Sequence, residues 1–430
     1  MNSKNLFLDL CLIVLILLIL VSPLLYWISL NGNWETKSEI EGRKLIVFPK
    51  DLFRSQKTAI KRIFQGLVSD AIDLFFFNTI DGSLQNQLDS AIADQFPLRI
   101  SMTEFSRILE RGLIASAYSF FSDTVFPASI DTSIYVTRDK TRLLKTPLSF
   151  DASMKHEIDL RIENYSELIN YNPNINFYVL NIETLEYSRF NPLTKFYSNS
   201  DSGQSINYFL KNKPKNLKFK NFEILSYPEF EANFFKTDHH WNIRGAVKAY
   251  RLVYEMLSKN YADISPMVDI SKISLINDLE FLGSYARGSL YPIAPEPFEY
   301  ADVSLPEYRT YVNGELKTYS GRKSYLSGNF SREKYFNHYQ GFYGSWKKLI
   351  VYEFQNLSNR NLLIVASSHA RMNQMLIALH YHKTSVIDLR NRDVKAISLK
   401  QMISDYKIND VLIMGQPTIT YLSSDYAITP

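Results

Sequence analysis

Apolar positions along this 430-residue chain fall into several distinct textures. Leu10 to Leu30, LCLIVLILLILVSPLLYWISL, is a nearly unbroken apolar run, and about 20 such residues cross the hydrocarbon core of a bilayer as a helix. Tyr26 and Trp27 stand near one end of it, as membrane-interface aromatics do. The run predicts a membrane anchor. A cleaved signal peptide is the competing reading, disfavoured by the length of the run and by the lack of a small-x-small site after it. Residues 31–42 (NGNWETKSEIEG) are polar and read as a linker. From Asp51 to Phe121 apolar residues recur at helical spacing, as at Ile63, Leu67, Ala71 and Leu74. Pro97, in ADQFPLR, breaks this stretch into two helical segments.

From about residue 173 the pattern changes to short continuous apolar runs. INFYVLNI (Ile175 to Ile182) and NFEILSY (Asn221 to Tyr227) read as strands of the kind a parallel sheet buries on both faces. Ile243 to Leu257 then has helical spacing. In the last quarter, NLLIVAS (Asn361 to Ser367), TSVIDLR (Thr384 to Arg390) and DVLIMG (Asp410 to Gly415) are strands. The helical stretches Ala370 to Tyr381 and SLKQMISDYK separate them. This alternation predicts an α/β fold with a doubly wound parallel sheet, whose ligands bind at the carboxyl ends of the strands. Residues 292–345, rich in Tyr, Phe, Pro and Gly, read as an insertion with little regular structure. The predicted organisation is a membrane anchor over 1–30, a linker and mainly helical region over 31–165, and an α/β domain over 166–430 carrying that insertion.

Composition narrows the function. With 46% hydrophobic and 21% charged residues, the chain is globular over most of its length. Its net charge of +4 comes without any long Lys/Arg run, which argues against nucleic acid as a partner. The single cysteine, Cys11, excludes an internal disulfide. Tyrosine and phenylalanine number 28 each; most such rings pack in cores, and the rest suit stacking against sugar rings. Lys4 and the amino terminus are the only basic groups before the apolar run, so charge by itself leaves the orientation of the anchor open.

Two stretches carry candidate chemistry. In FKTDHHWNIRGA (Phe235 to Ala246), an extended Asp238-His239-His240 would put Asp238 and His240 on one side and His239 on the other. A carboxylate beside an imidazole fixes its tautomer and stabilises the imidazolium formed when the ring takes a proton. The hydroxyl such a pair would serve is Ser368, at the strand-to-helix turn after Val365 and Ala366, where backbone N–H groups also face a developing oxyanion. Three plainer readings compete: Asp238 as a helix cap, Ser367 and Ser368 as helix N-caps, and Asp and His as zinc ligands. Against a metal, the sequence supplies no H-x-x-x-H or CxxC pattern to complete the ligand set.

Five segments taken in order carry a resemblance. EGRKLIVFP (Glu41 to Pro49), DQFPLR (Asp94 to Arg99), KTDHHWNIRGA (Lys236 to Ala246), FLGSYARG (Phe281 to Gly288), and LLIVASSHA followed by VIDLR and DVLIMG resemble the DHHW proteins. More distantly they resemble the AlgX/AlgJ-like group of SGNH-hydrolase-like polysaccharide O-acetyltransferases. The resemblance implies a circularly permuted SGNH-like sheet in which Asp238 orients His240, His240 is the general base and Ser368 attacks an acyl ester. It further implies a polysaccharide substrate, a bulk held outside the cytoplasm, a multipass acyl-transporting membrane partner, and neither cofactor nor metal. An esterase using water as acceptor, or a non-catalytic glycan-binding protein, fits the same residues. The chain departs from the family's Asp-Ser-Tyr or Thr-Ser-Tyr at the nucleophile, where it has Ser367-Ser368-His369, so Ser367 is a neighbouring rival. The oxyanion or substrate candidates are the backbone N–H of His369, with Gly283, Arg287 and Gln416. Arg371 stands where a small or amide residue is expected.

Overall fold

The computed structural model describes residues 34, 36–38, 43–47, 90–91, 93–96, 99–118, 125–129, 133–197, 200–201, 203–317, 321–344, 349–355, 358–388 and 398–422. The anchor expected at 10–30 and the helical pattern from 51 to 89 lie outside the described residues. Among the described residues no helix is long and apolar enough to cross a membrane.

The chain divides into two units, 1–113 and 114–430. Within the first, Lys37–Ser38 pairs antiparallel with Arg43–Lys44. The Ile46 N–H donates to the Asp94 carboxylate at 2.8 Å, and the Gln95 side-chain amide donates to the Ile46 carbonyl at 3.1 Å. The first two of the five segments therefore meet. A helix, Arg99–Tyr118, begins just past the Pro97 break read from the sequence.

The second unit is built on an eight-stranded sheet. Its strands are β1 (Asn176–Ile182), β2 (Lys218–Phe222), β3 (Tyr308–Val312), β4 (Glu315–Leu316), β5 (Ile350–Phe354), β6 (Asn361–Ala366), β7 (Lys383–Ile387) and β8 (Asp410–Gly415). Their spatial order is β4-β3-β5-β7-β6-β8-β1-β2. Strands β7, β6, β8, β1 and β2 are mutually parallel. Strands β5, β3 and β4 extend the edge through antiparallel pairs. The sheet is mixed, which corrects the all-parallel expectation. The residues that make it mixed come largely from the stretch read as irregular. Val312 pairs with Glu315 across Asn313-Gly314, whose φ values of 52° and 84° form the tight hairpin that Asn-Gly favours. Such a turn reverses the chain in two residues, so no helical crossover was there to be read.

Alternate residues of the inner strands enter different cores. Tyr178, Leu180, Ile364, Leu412 and Met414 pack on one face with helix α2 (Ile243–Ser258). Phe177, Val179, Leu363, Val365 and Ile413 pack on the other with helix α1 (Ala152–Tyr171). A period of two buried on both sides reads in sequence as a continuous apolar run. Each such side chain contributes about 1.5–3 kcal/mol by leaving water. Helix α1 buries Ile158, Tyr165 and Leu168 at helical spacing and is capped by Asp151, which accepts from the Met154 N–H at 2.9 Å. Helix α2 is capped by Asn242, whose side-chain oxygen accepts from the N–H groups of Arg244 and Gly245. The Asn242 cap fixes where α2 starts, and hence where the DHHW stretch directly before it ends.

Candidate active site

The carboxyl end of β6 is where the chain's connections diverge, with β7 on one side and β8 on the other. Open α/β sheets place ligands at such a point. Ser367, still extended at φ −94° and ψ 179°, leads into a tight helical turn, Ser368–Met372. Its N–H donates to the Met414 carbonyl of β8 at 3.1 Å. A Cβ on Gly415 would lie 2.9 Å from the Ser367 hydroxyl, so this serine faces β8. Ser368 turns the other way, and its Oγ lies 2.7 Å from His240 Nε2.

The histidine arrives on a closed loop. Phe234 bridges to Trp241, the Asn242 N–H donates to the Asn233 carbonyl at 2.9 Å, and residues 236–240 form successive bends. Buried Glu296 holds the loop from outside. Its carboxylate accepts from the N–H groups of Lys236 and Thr237, each at 2.9 Å, and from the Thr237 hydroxyl at 2.7 Å. Burial nonetheless raises the Glu296 pKa above the ordinary carboxylate value, against those hydrogen bonds.

Asp238 is fixed on both oxygens. Oδ1 accepts from the His240 backbone N–H at 3.0 Å and lies 2.5 Å from His240 Nδ1, while Oδ2 accepts from the Ser284 N–H at 2.6 Å. Helix α3 (Ser284–Ser289) thus presents its first N–H to the carboxylate. Burial by itself would raise the Asp238 pKa. The imidazoles of His240 and His239, with the hydrogen bond from His240 and the Arg287 guanidinium, hold it well below the usual range. A donor at His240 Nδ1 facing Asp238 leaves Nε2 as the acceptor for the Ser368 hydroxyl, the tautomer a general base requires. Asp238, His240 and Ser368 are 4%, 6% and 4% exposed, so bulk water is largely kept from the three.

Two further contacts, invisible in the spacing, complete the arrangement. Tyr339, on helix α4 (His338–Tyr343), stacks on His240 with ring centroids 3.9 Å apart and planes 14° from parallel. Its hydroxyl donates to the Ser368 carbonyl at 2.7 Å. Trp241, the last letter of DHHW, donates its indole N–H to the His369 carbonyl at 2.9 Å and so ties the histidine loop to the serine turn. No local sequence signal announces Tyr339 or Glu296, because each acts across 29 residues or more.

The other predicted residues fall into place differently. His239 does not face away from His240: the segment bends instead of running extended, and the two rings lie 3.9 Å apart, with His239 Nδ1 2.7 Å from the Ser284 hydroxyl. Gly283 supports the acid. Its N–H donates to the Thr237 hydroxyl at 2.9 Å, and a Cβ there would lie 2.2 Å from that of Asp238. Arg287 stands on the acid's side too, with its guanidinium donating to the Leu282 carbonyl at 3.4 Å. Gln416 follows β8 and donates to the Thr418 hydroxyl at 3.1 Å. His369 stays beside Ser368, its Nε2 3.2 Å from the His239 carbonyl and its Nδ1 3.3 Å from the Ser367 hydroxyl.

Asp238, His239 and His240 also meet the composition of a metal site, with one ligand atom from each lying within 4.8 Å of the others. The 2.5 Å separation between Asp238 Oδ1 and His240 Nδ1 is a hydrogen-bond distance. Two ligands at about 2.0–2.2 Å on one tetrahedral ion stand farther apart than that. The arrangement as it stands is an acid, a base and a hydroxyl in line.

No protein-family model and no curated protein sequence matches the chain. Among solved structures, that of Bacillus cereus PatB1 with a sulfonyl adduct is similar, at TM-score 0.55 and 18% identity over 69% of this chain and 98% of that one. A DHHW family protein from Eubacterium siraeum has TM-score 0.49 and 19% identity, covering 69% of this chain and 93% of its own. The O-acetyltransferase domain of Pseudomonas putida AlgJ has TM-score 0.38 and 10% identity, covering 67% and 92%. The structures similar to this chain thus include the kinds of protein its five segments resemble, and the likeness to PatB1 is one of fold.

Proposed function

We propose that this chain is a serine-dependent O-acyltransferase in an SGNH-hydrolase-like, circularly permuted fold, acting on a cell-envelope or secreted polysaccharide. The observation that carries the reading is the line Asp238 Oδ1, His240 Nδ1, His240 Nε2, Ser368 Oγ, with separations of 2.5 and 2.7 Å. Ser368 Oγ attacks the carbonyl carbon of an acyl ester while its proton passes to His240 Nε2. Asp238 stabilises the resulting imidazolium. The tetrahedral intermediate collapses, His240 returns the proton to the departing alkoxide, and the acyl group stays on Ser368. A sugar hydroxyl then repeats the two steps in reverse. General-base activation of this kind contributes ~10²–10⁴-fold. Transfer to a sugar, over hydrolysis, is what the family resemblance suggests. The apolar run from Leu10 to Leu30 supports a single-pass anchor, and the family resemblance suggests that the bulk of the chain lies outside the cytoplasm. In that setting a multipass membrane protein supplies the acyl group, and acetyl is the group the family resemblance suggests.

The test uses the intact chain with a chromogenic acetyl ester and with a sulfonyl fluoride, a reagent class that caps nucleophilic hydroxyls. Turnover is expected in the parent and lost, by ~10³-fold or more, in Ser368→Ala and His240→Ala. The sulfonyl group is expected on the peptide's Ser368, with Ser367 unmodified. Equal turnover in parent and variants, or labelling confined to Ser367, sinks the proposal. Transfer of acetyl to an added glycan, read by mass, separates a transferase from an esterase.

A further inference from the structure

Behind the turn that carries Ser368 lies a cavity of about 370 Å³, a size that accepts a small-molecule ligand. Its floor is apolar, formed by Val312 of β3, Ile350 of β5, Phe342 of α4, and Met372 and Met375 just beyond the serine turn. Three cations line it as well: Lys317, Arg322 and Arg371. No carboxylate is among the described lining residues. Two acids stand close by. Glu315 pairs with Lys317 at 2.7 Å, both side chains being exposed, and Asp388 lines the adjoining recess beside Ser367, Arg371 and Gln374. Arg322 is held in place, donating to the Ala301 carbonyl at 2.8 Å with its guanidinium over the rings of Tyr300 and Phe342. Gln374 donates its amide to the Tyr352 hydroxyl at 2.7 Å.

We propose that this cavity is a binding site for a small amphipathic anion, an aromatic or aliphatic body with one anionic head group, and not a glycan subsite. The apolar residues take the body by burial. The guanidiniums of Arg322 and Arg371 take the head by charge-assisted hydrogen bonds. Tyr308, Thr310, Tyr343, Tyr352 and Gln374 also line it and could bond to hydroxyls, but apolar surface predominates over polar in the lining and favours an apolar body over a hexose. Arg371, unexpected at its position in the sequence, lines both this cavity and the adjoining recess.

The test is calorimetry on the intact chain with three probes: 1-naphthyl phosphate, 1-naphthol and glucose 6-phosphate. Naphthyl phosphate is expected to bind saturably, and each of the others at least ~10-fold more weakly, a difference of about 1.4 kcal/mol. Arg322→Gln and Arg371→Gln are expected to weaken naphthyl phosphate at least ~5-fold and to leave naphthol unchanged, while Met375→Trp, which fills the cavity, blocks both. Thermal unfolding confirms that each variant is folded, and Arg322→Gln carries the test alone should the more buried Arg371 prove essential to folding. Naphthol binding as tightly as the phosphate overturns the anion requirement, and glucose 6-phosphate binding as tightly as naphthyl phosphate makes the cavity a sugar site. Saturable binding of none of the three, or binding indifferent to Arg322→Gln, also overturns it. Since Ser368→Ala is expected to keep this binding, failure here leaves the acyl-transfer reading untouched, and the reverse holds too.

Discussion

His240 is held by two residues that the local sequence does not link to it, Ser368 on one ring nitrogen and Tyr339 across one face, as well as by its chain neighbour His239 beside it. Tyr339 both stacks on His240 and donates to the Ser368 carbonyl, so it positions the two relative to each other. Tyr339→Leu is expected to lower kcat about tenfold, the scale of about 1.4 kcal/mol, while KM stays within about twofold. Tyr339→Phe keeps the stacked ring and is expected to retain most of the rate. Equal loss in the two variants would assign the effect to the hydroxyl alone. Gly283 offers a sharper probe of the acid. An added methyl would overlap Asp238, whereas one at Gly288 would make only an ordinary 3.7 Å contact with Ile134. Gly283→Ala is expected to cost ~100-fold in kcat by displacing the carboxylate, with Gly288→Ala close to the parent; matching rates for the two would show that Asp238 tolerates displacement.

At the scale of elements, the β3-β4 hairpin explains how an aromatic, Pro- and Gly-rich stretch joins the central sheet. Gly314 sits at φ +84° with nothing near its missing side chain, so its conformation, and not crowding, demands glycine. Gly314→Ala is expected to cost about 1–2 kcal/mol of stability, read from the urea midpoint. A variant as stable as the parent would mean that the edge hairpin contributes nothing to the cooperative unit. The inner strands were legible because a sheet buried on both faces selects unbroken apolar runs. Asn361 to Ser367 and Asp410 to Gly415 were placed to within a residue of β6 and β8. At the edge the reading slipped. NFEILSY reads as a strand, yet the strand is Lys218–Phe222, whose alternating, half-buried lysines break any apolar run. The helix read over Ala370 to Tyr381 is divided too, into the tight turn at Ser368–Met372 and helix α5 (Gln374–Ala378).

For the second unit as a whole, pH is a lever on stability. Glu183 follows β1 and accepts from the Ile224 N–H at 3.2 Å, and burial lifts its pKa from 4.5 to about 7 despite that bond. Because the folded value lies above the unfolded one, the folded state retains the proton. The stabilising contribution is full below about pH 4.5 and is lost as pH rises through about 7. Urea unfolding of the parent is expected to weaken across that window relative to Glu183→Gln, with the gap between them constant above it. Parallel curves for the two proteins would show that another group sets the dependence.

The sequence alone determined the sheet-forming runs, the start of the helix after DHHW, and the residue types of an acid, a base and a hydroxyl, because burial and capping act over a few neighbouring positions. It also carried the family resemblance, through five short segments kept in order. Only the tertiary structure decided that Ser368 and not Ser367 faces His240, that Gly283 makes room for Asp238, that Tyr339 covers the base and that the sheet edge is antiparallel. Apart from the short β3-β4 hairpin, those outcomes depend on contacts between residues 29 to 128 positions apart. Such contacts are set by how strands and helices pack, and side chains that meet only after packing leave no period or spacing in the chain.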